Sequence, residues 1–452
     1  MDKTFPGYSL DFIHSMISEA SGRTSGWIND LELRSVFQPA FSLHYRSMMG
    51  CEASLRSLDE GGRPVSPQAL FGPTRNFAET AMLDLLCAAL HVRNYVKPAP
   101  PPGLLLLNLH PEVLLDSGNT ARFLSELFRH HGLAGGKVML DVPGAALGHA
   151  ALGDAVAAYR QLGCLVAVDD FGADNNDLDT IWHVKPAVVK IDRTVTAAAA
   201  SDTRPFQVLQ KGVSLLHEMG ILVLMEGLEQ ESEVLVALES DADFGSGFHL
   251  GAMHDSVAAI PESAGLLDGL WGKLARAPAR GQAPSAADRS TLEDGVLRSS
   301  NVRKFRNASS EEIGRHREQR RPYLNAIHDL AARLQSGAGL EEAGREFLAL
   351  PGAIRCYTLD GEGMQTAPAV MARVLPPRQG MDFQALYRNQ TANWSRRDFF
   401  RRAVREPGVA QVTRRYCSPM GYAHCVTFSV AVRAGNRPLV VCCDVDWTHH
   451  AA

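Results

Sequence analysis

The sequence lacks the features that mark several broad classes of protein. No uninterrupted apolar run approaches the roughly 18 residues that a membrane span needs, and the first residues lack the charged-then-apolar pattern of a signal peptide. Positive charge is not in excess, with 45 Lys and Arg against 50 Asp and Glu. The chain therefore lacks the overall basic surface that proteins use to bind duplex nucleic acid. We therefore expect a cytoplasmic protein that binds neither a membrane nor duplex nucleic acid.

The eight cysteines offer no sign of a metal or disulfide framework. They form no CxxC pair and have no partner histidines at zinc spacing. Cys442 and Cys443 are adjacent in an apparent strand, so their side chains should point to opposite faces and not ligate one ion together. We expect most of the cysteines to be reduced and buried in hydrophobic cores.

Charge and composition divide the chain near residue 270. Residues 1–270 contain 18 basic and 33 acidic side chains, whereas residues 271–452 contain 27 basic and 17 acidic ones. Residues 275–290 are rich in Ala, Pro, Gly and Ser without apolar periodicity, which is typical of a linker. We predict an N-terminal helical segment at 1–28, a first domain at 29–270, a linker at 271–308 and a second domain at 309–452.

The first domain alternates short apolar runs with helix-like segments. Continuous apolar runs are typical of buried parallel strands, and their alternation with helices predicts βα units. Counting GCEASLR before these runs and ADFGSGF after them gives seven or eight strands over about 230 residues, the size of a TIM-like β/α barrel. The runs end in polar or ionisable residues at Asn108, Asp141, Asp169, Asp170, Lys190 and Glu226.

These terminal residues, with Glu52, should share the mouth of the barrel, where the carboxyl ends of the strands meet. Five carboxylates so close would repel one another and raise each other's pKa unless cations neutralised them. Oxygen ligands favour Mg²⁺, Mn²⁺ or Ca²⁺ over zinc. The alternative is that each acid caps the helix after its strand, which explains one residue more readily than the whole set.

Seven motifs in order and at matching spacing resemble the EAL-domain phosphodiesterases of bacterial cyclic di-GMP signalling. The resemblance runs from residue 37 to residue 251, and Ser54 stands where the family has the leucine of Glu-Ala-Leu. It implies an EAL-type (β/α)8 barrel, two Mg²⁺ or Mn²⁺ ions, a homodimer, and hydrolysis of cyclic di-GMP to linear pGpG. The motifs are GCEASLR, LLLNLHP, VMLDVPG, AVDDFGADNND, VVKIDRT, LMEGLE and FGSGF.

The resemblance also implies roles for individual residues. Lys190 matches the lysine that orients the reacting water and has a proposed part in proton transfer, Glu226 matches a residue near that water, and Glu229 matches a further acidic position. Arg56 matches the arginine that holds a phosphate, while Asp170 and Ser246 stand at positions on the substrate side. The implied metal ligands are Glu52, Asn108, Asp141, Asp169 and Asp170.

Four departures from the family pattern leave two functions open. Asp141 and Gly144 replace two glutamates, and Ser246 replaces a glutamine. The loop at 171–177 carries Asp174, Asn175 and Asn176 in place of the residues that active members favour. One function is a phosphodiesterase slowed by these changes, since rate depends sharply on positioning. The other is a cyclic di-GMP receptor without turnover. We favour the enzyme because the lysine and the Asp pair are present.

The sequence of the second domain predicts a small α+β domain that begins with helices. Its segments AIRCYTL, VAQVTRRY, YAHCVTFSVAV and PLVVCCDVDW alternate like half-buried antiparallel strands. The stretch WSRRDFFRRAVREPG is similar to a domain that follows the EAL barrel in one subset of the family. We predict a PAS- or Cache-like sensor of a small-molecule signal, with a dimerisation or packing module as the alternative.

Overall fold

The computed structural model divides the chain into two compact units. The first unit contains residues 1–274 with two later segments, 377–393 and 415–424, and the second unit contains the rest. The described residues are 9–20, 22–72, 76–98, 103–173, 178–261, 265–276, 310–376, 392–418, 420, 422–435 and 437–448. No helix in these ranges combines the length and apolar character that crossing a membrane requires. Most of the linker predicted at 271–308 lies outside them, and the domain boundaries stay predictions.

A closed barrel of eight strands forms the centre of the first unit. Its hydrogen-bonding order is β3, β11, β10, β9, β8, β7, β6 and β4, and pairing of β3 with β4 closes the ring. The predicted TIM-like barrel is thereby confirmed. The strands of this unit are β1 (Ile17–Ala20), β2 (Arg23–Ile28), β3 (Leu31–Ser42), β4 (Ser47–Leu58), β5 (Pro64–Val65), β6 (Leu104–Asn108), β7 (Val138–Val142), β8 (Leu165–Phe171), β9 (Val188–Ile191), β10 (Leu222–Met225) and β11 (Phe244–Ser246).

Helices surround the barrel and bury the outer faces of its strands. Because the strands are covered outside and filled inside, runs such as Leu104–Leu107 are apolar at every position. The helices are α1 (Leu10–Ser15), α2 (Pro67–Leu70), α3 (Phe77–Tyr95), α4 (Pro111–Leu115), α5 (Ser117–His131), α6 (Leu152–Gln161), α7 (Leu178–Val184), α8 (Arg193–Ser201), α9 (Thr203–Glu218), α10 (Glu231–Glu239) and α11 (Gly265–Arg276).

Strand β3 gives the barrel an irregular seam. It runs antiparallel to both β4 and β11, whereas the remaining neighbours in the ring are parallel. Strand β4 pairs with β6 only over Gly50–Glu52 but stays paired with β3 as far as Leu58. The two long strands therefore continue past the barrel mouth as a ribbon.

The N-terminal segment was predicted to be helical, and for residues 17–28 this prediction is wrong. Helix is confined to α1, and β1 and β2 form a hairpin whose second strand pairs with β3. β-Branched and aromatic residues in Arg23–Ile28 favour a strand, and Gly26 weakens any helix there. Pairing of β2 with the edge of β3 then stabilises the strand over the helix.

The second unit is built on an antiparallel sheet with a helical lead-in, as predicted. Helix α12 (Ser310–Gln335) supplies Tyr323, which stacks on Phe428 with ring centroids 5.3 Å apart. The other elements are α13 (Leu340–Ala343), α14 (Arg345–Leu348), β12 (Ala353–Leu359), β13 (Val370–Met371), α15 (Asp398–Arg405), β14 (Gln411–Val412), β15 (Tyr416–Ser418), β16 (Tyr422–Ala434) and β17 (Arg437–Asp446). The PAS- or Cache-like identity of this unit stays a prediction.

The cysteine side chains that the structure describes are all free and buried, which confirms the expectation for them. Cys443 faces the core beneath α12, where its sulfur is 3.2 Å from that of Cys356. Cys442, the next residue along β17, points to the opposite face of the sheet, as alternation in a strand requires.

Candidate functional site

One lysine ammonium lies among four carboxylates inside the barrel. Lys190 Nζ is 2.7 Å from Glu226 Oε1 and 2.9 Å from Asp141 Oδ2. It is 3.2 Å from Glu52 Oε2 and 3.3 Å from Asp169 Oδ2. The Lys190 side chain is 1% exposed, and a charge so buried is tolerated only with partners of this kind. Five of the seven residues that the sequence placed at one cavity mouth therefore meet through direct contacts with Lys190.

Five strands deliver these side chains because parallel strands end on the same side of a barrel. Asp141, Asp169 and Lys190 lie in β7, β8 and β9, and Glu226 directly follows β10. Glu52 departs from this pattern, since β4 continues for six residues beyond it to Leu58.

Asn108, the last residue of β6, completes the group. It is the register partner of Asp141, and its amide Nδ2 donates a 2.8 Å hydrogen bond to Glu52 Oε1. The amide therefore holds one oxygen of Glu52 while Lys190 holds the other. This arrangement fixes the orientation of the Glu52 carboxylate.

Burial and charge set opposite pKa shifts within the cluster. Burial raises the pKa of Asp141 to about 8, with the Asp169 and Glu52 charges adding to the effect against Lys190. Burial likewise raises the pKa of Glu226 well above its ordinary value. Burial also opposes ionisation of Glu52, but Lys190 and the Asn108 hydrogen bond prevail and lower its pKa. The four carboxylates together hold the pKa of Lys190 well above its usual range despite its burial.

Asp169, Asp170 and Glu226 form a second grouping at the same place. One carboxylate oxygen from each lies within 4.8 Å of the others. Asp170 adopts a left-handed φ of 54°, and its backbone N–H donates to Asp169 Oδ1 at 2.8 Å. Asp tolerates this backbone region better than most residues, and such strain is common where a side chain must be aimed.

The cluster fits divalent cations on the evidence of its own donor atoms. Asp141 Oδ1 is buried and has no hydrogen-bond partner in the structure. The donors are carboxylate and amide oxygens, which suit Mg²⁺ or Mn²⁺. Burial and the neighbouring carboxylate charges oppose ionisation of Asp141 and Glu226, so positive charge beyond that of Lys190 would stabilise their ionised forms, as the raised pKa values of both residues indicate. A cation would supply that charge and a partner for the free oxygen.

The other predicted site residues lie around this cluster. Arg56 is exposed on β4, on the same face as Glu52 because the two are four residues apart in one strand. The Ser246 hydroxyl is buried and donates to the Pro39 carbonyl at 3.1 Å, so its hydrogen is used within the barrel wall. Glu229 is half exposed, and its Oε1 is 3.9 Å from Arg193 Nη1.

Sequence reasoning missed Arg193, whose side chain is 70% exposed beside Glu229. Gly227, between the two acidic positions, has a φ of 61°, and a Cβ there would lie 2.4 Å from Cβ of Arg193. The signal for Arg193 in the sequence is its place two residues after β9, just beyond the strand end that carries Lys190. The Arg193 guanidinium therefore places a positive charge beside the carboxylate of Glu229.

The four departures can be located only in part. The shorter Asp141 still contacts Lys190, so the loss of one methylene does not remove it from the cluster. Gly144 begins a short 3-10 turn, Gly144–Ala146, and brings no side chain. Asp174, Asn175 and Asn176 lie outside the described residues.

Comparison with known sequences places most of the first unit in one family model. The model described as the EAL domain matches residues 23–252. A protein of Azorhizobium caulinodans described as uncharacterized is 27% identical over 282 residues, which is 57% of this chain and 37% of its own. The cyclic di-GMP phosphodiesterase RocR of Pseudomonas aeruginosa is 25% identical over 221 residues, which is 48% of this chain and 56% of RocR. The matches thus span about half or less of these relatives.

Solved structures with an EAL domain are also similar. The Bacillus subtilis YkuI protein, in complex with cyclic di-GMP and calcium, has a TM-score of 0.47 at 17% identity. That match covers 92% of this chain and 95% of YkuI. The Pseudomonas aeruginosa FimX EAL domain, bound to cyclic di-GMP, has a TM-score of 0.46 at 19% identity over 50% of this chain and 92% of the domain.

Proposed function

Since this chain belongs to the EAL-domain family, we propose that its barrel hydrolyses one phosphodiester of cyclic di-GMP to linear pGpG. The observation that carries the proposal is the contact of Lys190 with four carboxylates beside the Asp169, Asp170 and Glu226 grouping. A relative named as a cyclic di-GMP phosphodiesterase matches about half of the chain, which supports the same substrate.

Two Mg²⁺ or Mn²⁺ ions would be held by oxygen donors of the cluster. When bound, such ions supply a water that ionises near neutral pH and stabilise charge on phosphoryl oxygens. The unpartnered Asp141 Oδ1 supports its assignment as a ligand. The proposed ligands are Glu52, Asn108, Asp141, Asp169 and Asp170.

The protonation states of the chain's own residues limit their chemical roles. Lys190 is held protonated by its four partners, so it donates hydrogen bonds and orients the attacking water but does not accept that water's proton. Glu226 lies 2.7 Å from Lys190 Nζ, and its raised pKa makes its ionised form a stronger base than an ordinary glutamate, so it is the residue proposed to accept the proton. The water oxygen bonds to phosphorus, the bond from phosphorus to the 3′ oxygen breaks, and the 3′ oxygen leaves with a proton.

Arg56 would bind the substrate at the rim. A guanidinium matches the two free oxygens of a phosphodiester and stays charged at every relevant pH. Its position on the face of β4 that carries Glu52 aims it at a ligand above the cluster. Glu229 and Ser246 are proposed to contribute to the same rim, with Arg193 beside Glu229.

The second candidate function is a receptor that binds cyclic di-GMP without turnover. Two observations favour it: Gly144 offers no carboxylate in the turn after β7, and the Ser246 hydroxyl already donates to Pro39. Both changes would disturb the positioning of the reacting groups more than the binding of cyclic di-GMP. They would therefore slow hydrolysis more than they weaken binding.

The second unit is proposed to regulate the barrel as a PAS- or Cache-like sensor, and the chain to act as a homodimer. Because two segments after residue 376 belong to the first unit, removing everything after residue 270 would also remove part of that unit. The suitable test is therefore a thermal-shift screen of small molecules on the full chain, followed by assays of hydrolysis with each compound that binds.

The proposed hydrolysis is tested by incubating the full chain with cyclic di-GMP and Mg²⁺ or Mn²⁺ and following pGpG by chromatography. The matched control is Glu52→Gln, which keeps the shape of the side chain but removes its charge. Product from the wild type alone supports the enzyme. Saturable binding by calorimetry without product from either protein would establish the receptor instead.

A further inference from the structure

Three histidines meet on the outside of the barrel, at the end of the N-terminal helix. His14 lies on α1, and His130 and His131 are the last two residues of α5. Their ring centroids are 4.8 Å apart for His14 with His130, 5.4 Å for His14 with His131, and 4.8 Å for His130 with His131. The rings are inclined to one another by 60 to 77°, so none of the three pairs is stacked.

The ring nitrogens of this group are short of partners. One nitrogen from each histidine lies within 4.8 Å of the other two. Nε2 of His14 and Nε2 of His131 are buried and make no hydrogen bond in the structure. A buried polar atom without a partner costs free energy, so three imidazoles arranged in this way need an additional explanation.

We propose that His14, His130 and His131 bind one transition-metal ion, Zn²⁺ or a cation of similar preference, at a site separate from the barrel mouth. Tetrahedral Zn²⁺ bound at about 2.05 Å places ligand nitrogens about 3.4 Å apart. The three nitrogens lie within 4.8 Å of one another, so binding would draw them closer together. Three protein ligands leave the fourth position to water or to another donor.

Some charges around the three histidines favour a bound cation and one opposes it. The C-terminal end of α5, with its negative partial charge, favours positive charge at His130 and His131. Arg93 opposes a cation, but its guanidinium is 3.6 Å from Glu19 Oε2, which reduces its field. Asp11, on α1, lies near enough to His14 to favour positive charge there.

The histidines are also in the form that binds metal. Burial, with the neighbouring His130 and Arg93 charges, lowers the pKa of His14. Burial, followed by the same kind of neighbours, lowers the pKa of His131 to about 4. Both imidazoles are therefore neutral at pH 7, and metal binding would not have to displace a proton from them.

The two sites differ in chemistry. The barrel cluster offers oxygen donors that suit Mg²⁺ and Mn²⁺, whereas the histidine cluster offers only imidazole nitrogen, which suits Zn²⁺, Co²⁺, Ni²⁺ or Cu²⁺. An ion at the histidines would tie α1 to α5 and so fix the N-terminal segment on the barrel. The proposed site thus serves structure or regulation and does not depend on the proposed hydrolysis.

The test uses Co²⁺ as a spectroscopic probe on the full chain, with excess Mg²⁺ present to occupy oxygen sites. The variants are His14→Gln, His130→Gln and His131→Gln, and the control is His328→Gln, which changes an exposed histidine on α12. We expect one equivalent of Co²⁺ with visible absorption bands of nitrogen coordination in the wild type and the control. We expect at least tenfold weaker binding in each cluster variant, and the same spectrum in Glu52→Gln.

Thermal unfolding gives a second readout of the same site. Zn²⁺ should raise the unfolding temperature of the wild type and of His328→Gln but not of His130→Gln, whose side chain is exposed and whose loss leaves the fold intact without metal. Equal Co²⁺ affinity in the wild type and all three cluster variants would overturn the proposal. So would the absence of any nitrogen-type Co²⁺ spectrum in the wild type.

Discussion

Lys190 Nζ lies 2.7 Å from Glu226 Oε1, the shortest of its four carboxylate contacts. This pair joins a lysine whose pKa is raised to an acid whose pKa is also raised. The lysine therefore remains a hydrogen-bond donor, and the glutamate, when ionised, is a stronger base than an ordinary carboxylate. That division of roles underlies the predictions for the barrel site.

Lys190→Met should leave four carboxylates without their cation. We expect hydrolysis to fall at least ~100-fold, because the loss of one positioned hydrogen-bond donor costs about that much. Without metal, the variant should also unfold more easily, by about 3 to 5 kcal/mol, since one partner of a buried ionic group is removed. Chromatography of pGpG and denaturant unfolding in EDTA measure the two effects, with exposed Lys211→Met as the control. Wild-type activity in Lys190→Met would contradict the role.

Two changes at Asp141 test whether its carboxylate is a metal ligand. Asp141→Asn keeps the shape but removes the charge and should weaken Mn²⁺ binding at least ~10-fold, as loss of a metal contact does. Asp141→Glu restores the longer acid of the family and should raise turnover by about tenfold if the missing methylene limits positioning. Calorimetric Mn²⁺ titration and initial rates give the answers. Unchanged Mn²⁺ affinity in Asp141→Asn would remove it from the ligand set.

Arg56→Ala should affect substrate binding more than chemistry. Its guanidinium is exposed and is not among the contacts of Lys190, so we expect KM to rise about tenfold with little change in kcat. Arg122→Ala, at an exposed position on α5, is the control. A fall in kcat with unchanged KM would place Arg56 in the chemical step and not at the rim.

Asp84 on α3 predicts a pH dependence of stability. Burial raises its pKa from 3.8 to about 7, against a hydrogen bond from the His110 backbone N–H. Because the folded pKa is the higher one, its contribution to stability is complete below pH 3.8 and is lost as pH rises towards 7. Asp84→Asn removes this titration. Between pH 5 and pH 8 its free energy of unfolding should gain about 3 kcal/mol relative to the wild type.

Denaturant unfolding at the two pH values measures that difference. His149→Gln, far along the chain from α3, controls for the general effect of pH. A constant difference between Asp84→Asn and the wild type across this range would show that the Asp84 carboxyl has an ordinary pKa in the folded protein.

Strand patterns predicted the barrel well because its strands are buried on both faces. Runs such as VAV before Asp169 and LVLM before Glu226 leave no polar position within the strand, and the residue after the run marks the barrel mouth. The hairpin at residues 17–28 was not predictable in this way, because its partner is the ribbon edge of β3. Short strands of that kind are decided by tertiary pairing and not by local pattern.

Contacts between distant residues account for what the sequence could not supply. The position of Lys190 at the centre of four acids depends on strand register, which motif order does not state. The His14 group escaped notice because His130 and His131 lie more than a hundred residues away, and no metal-ligand spacing connects them. The spacing of ligand residues along the sequence reveals a site only when one segment contains all the ligands. The histidines of this group come together through the packing of α1 against α5.

The most direct test of the proposed hydrolysis is a reaction in ¹⁸O-labelled water with the full chain in excess over cyclic di-GMP and Mn²⁺ present. Excess protein makes slow turnover visible, and mass spectrometry reports the fate of the water oxygen. The account predicts pGpG with one ¹⁸O in its terminal phosphate, and none from Glu52→Gln. Cyclic di-GMP bound by the wild type but recovered intact and unlabelled would contradict it.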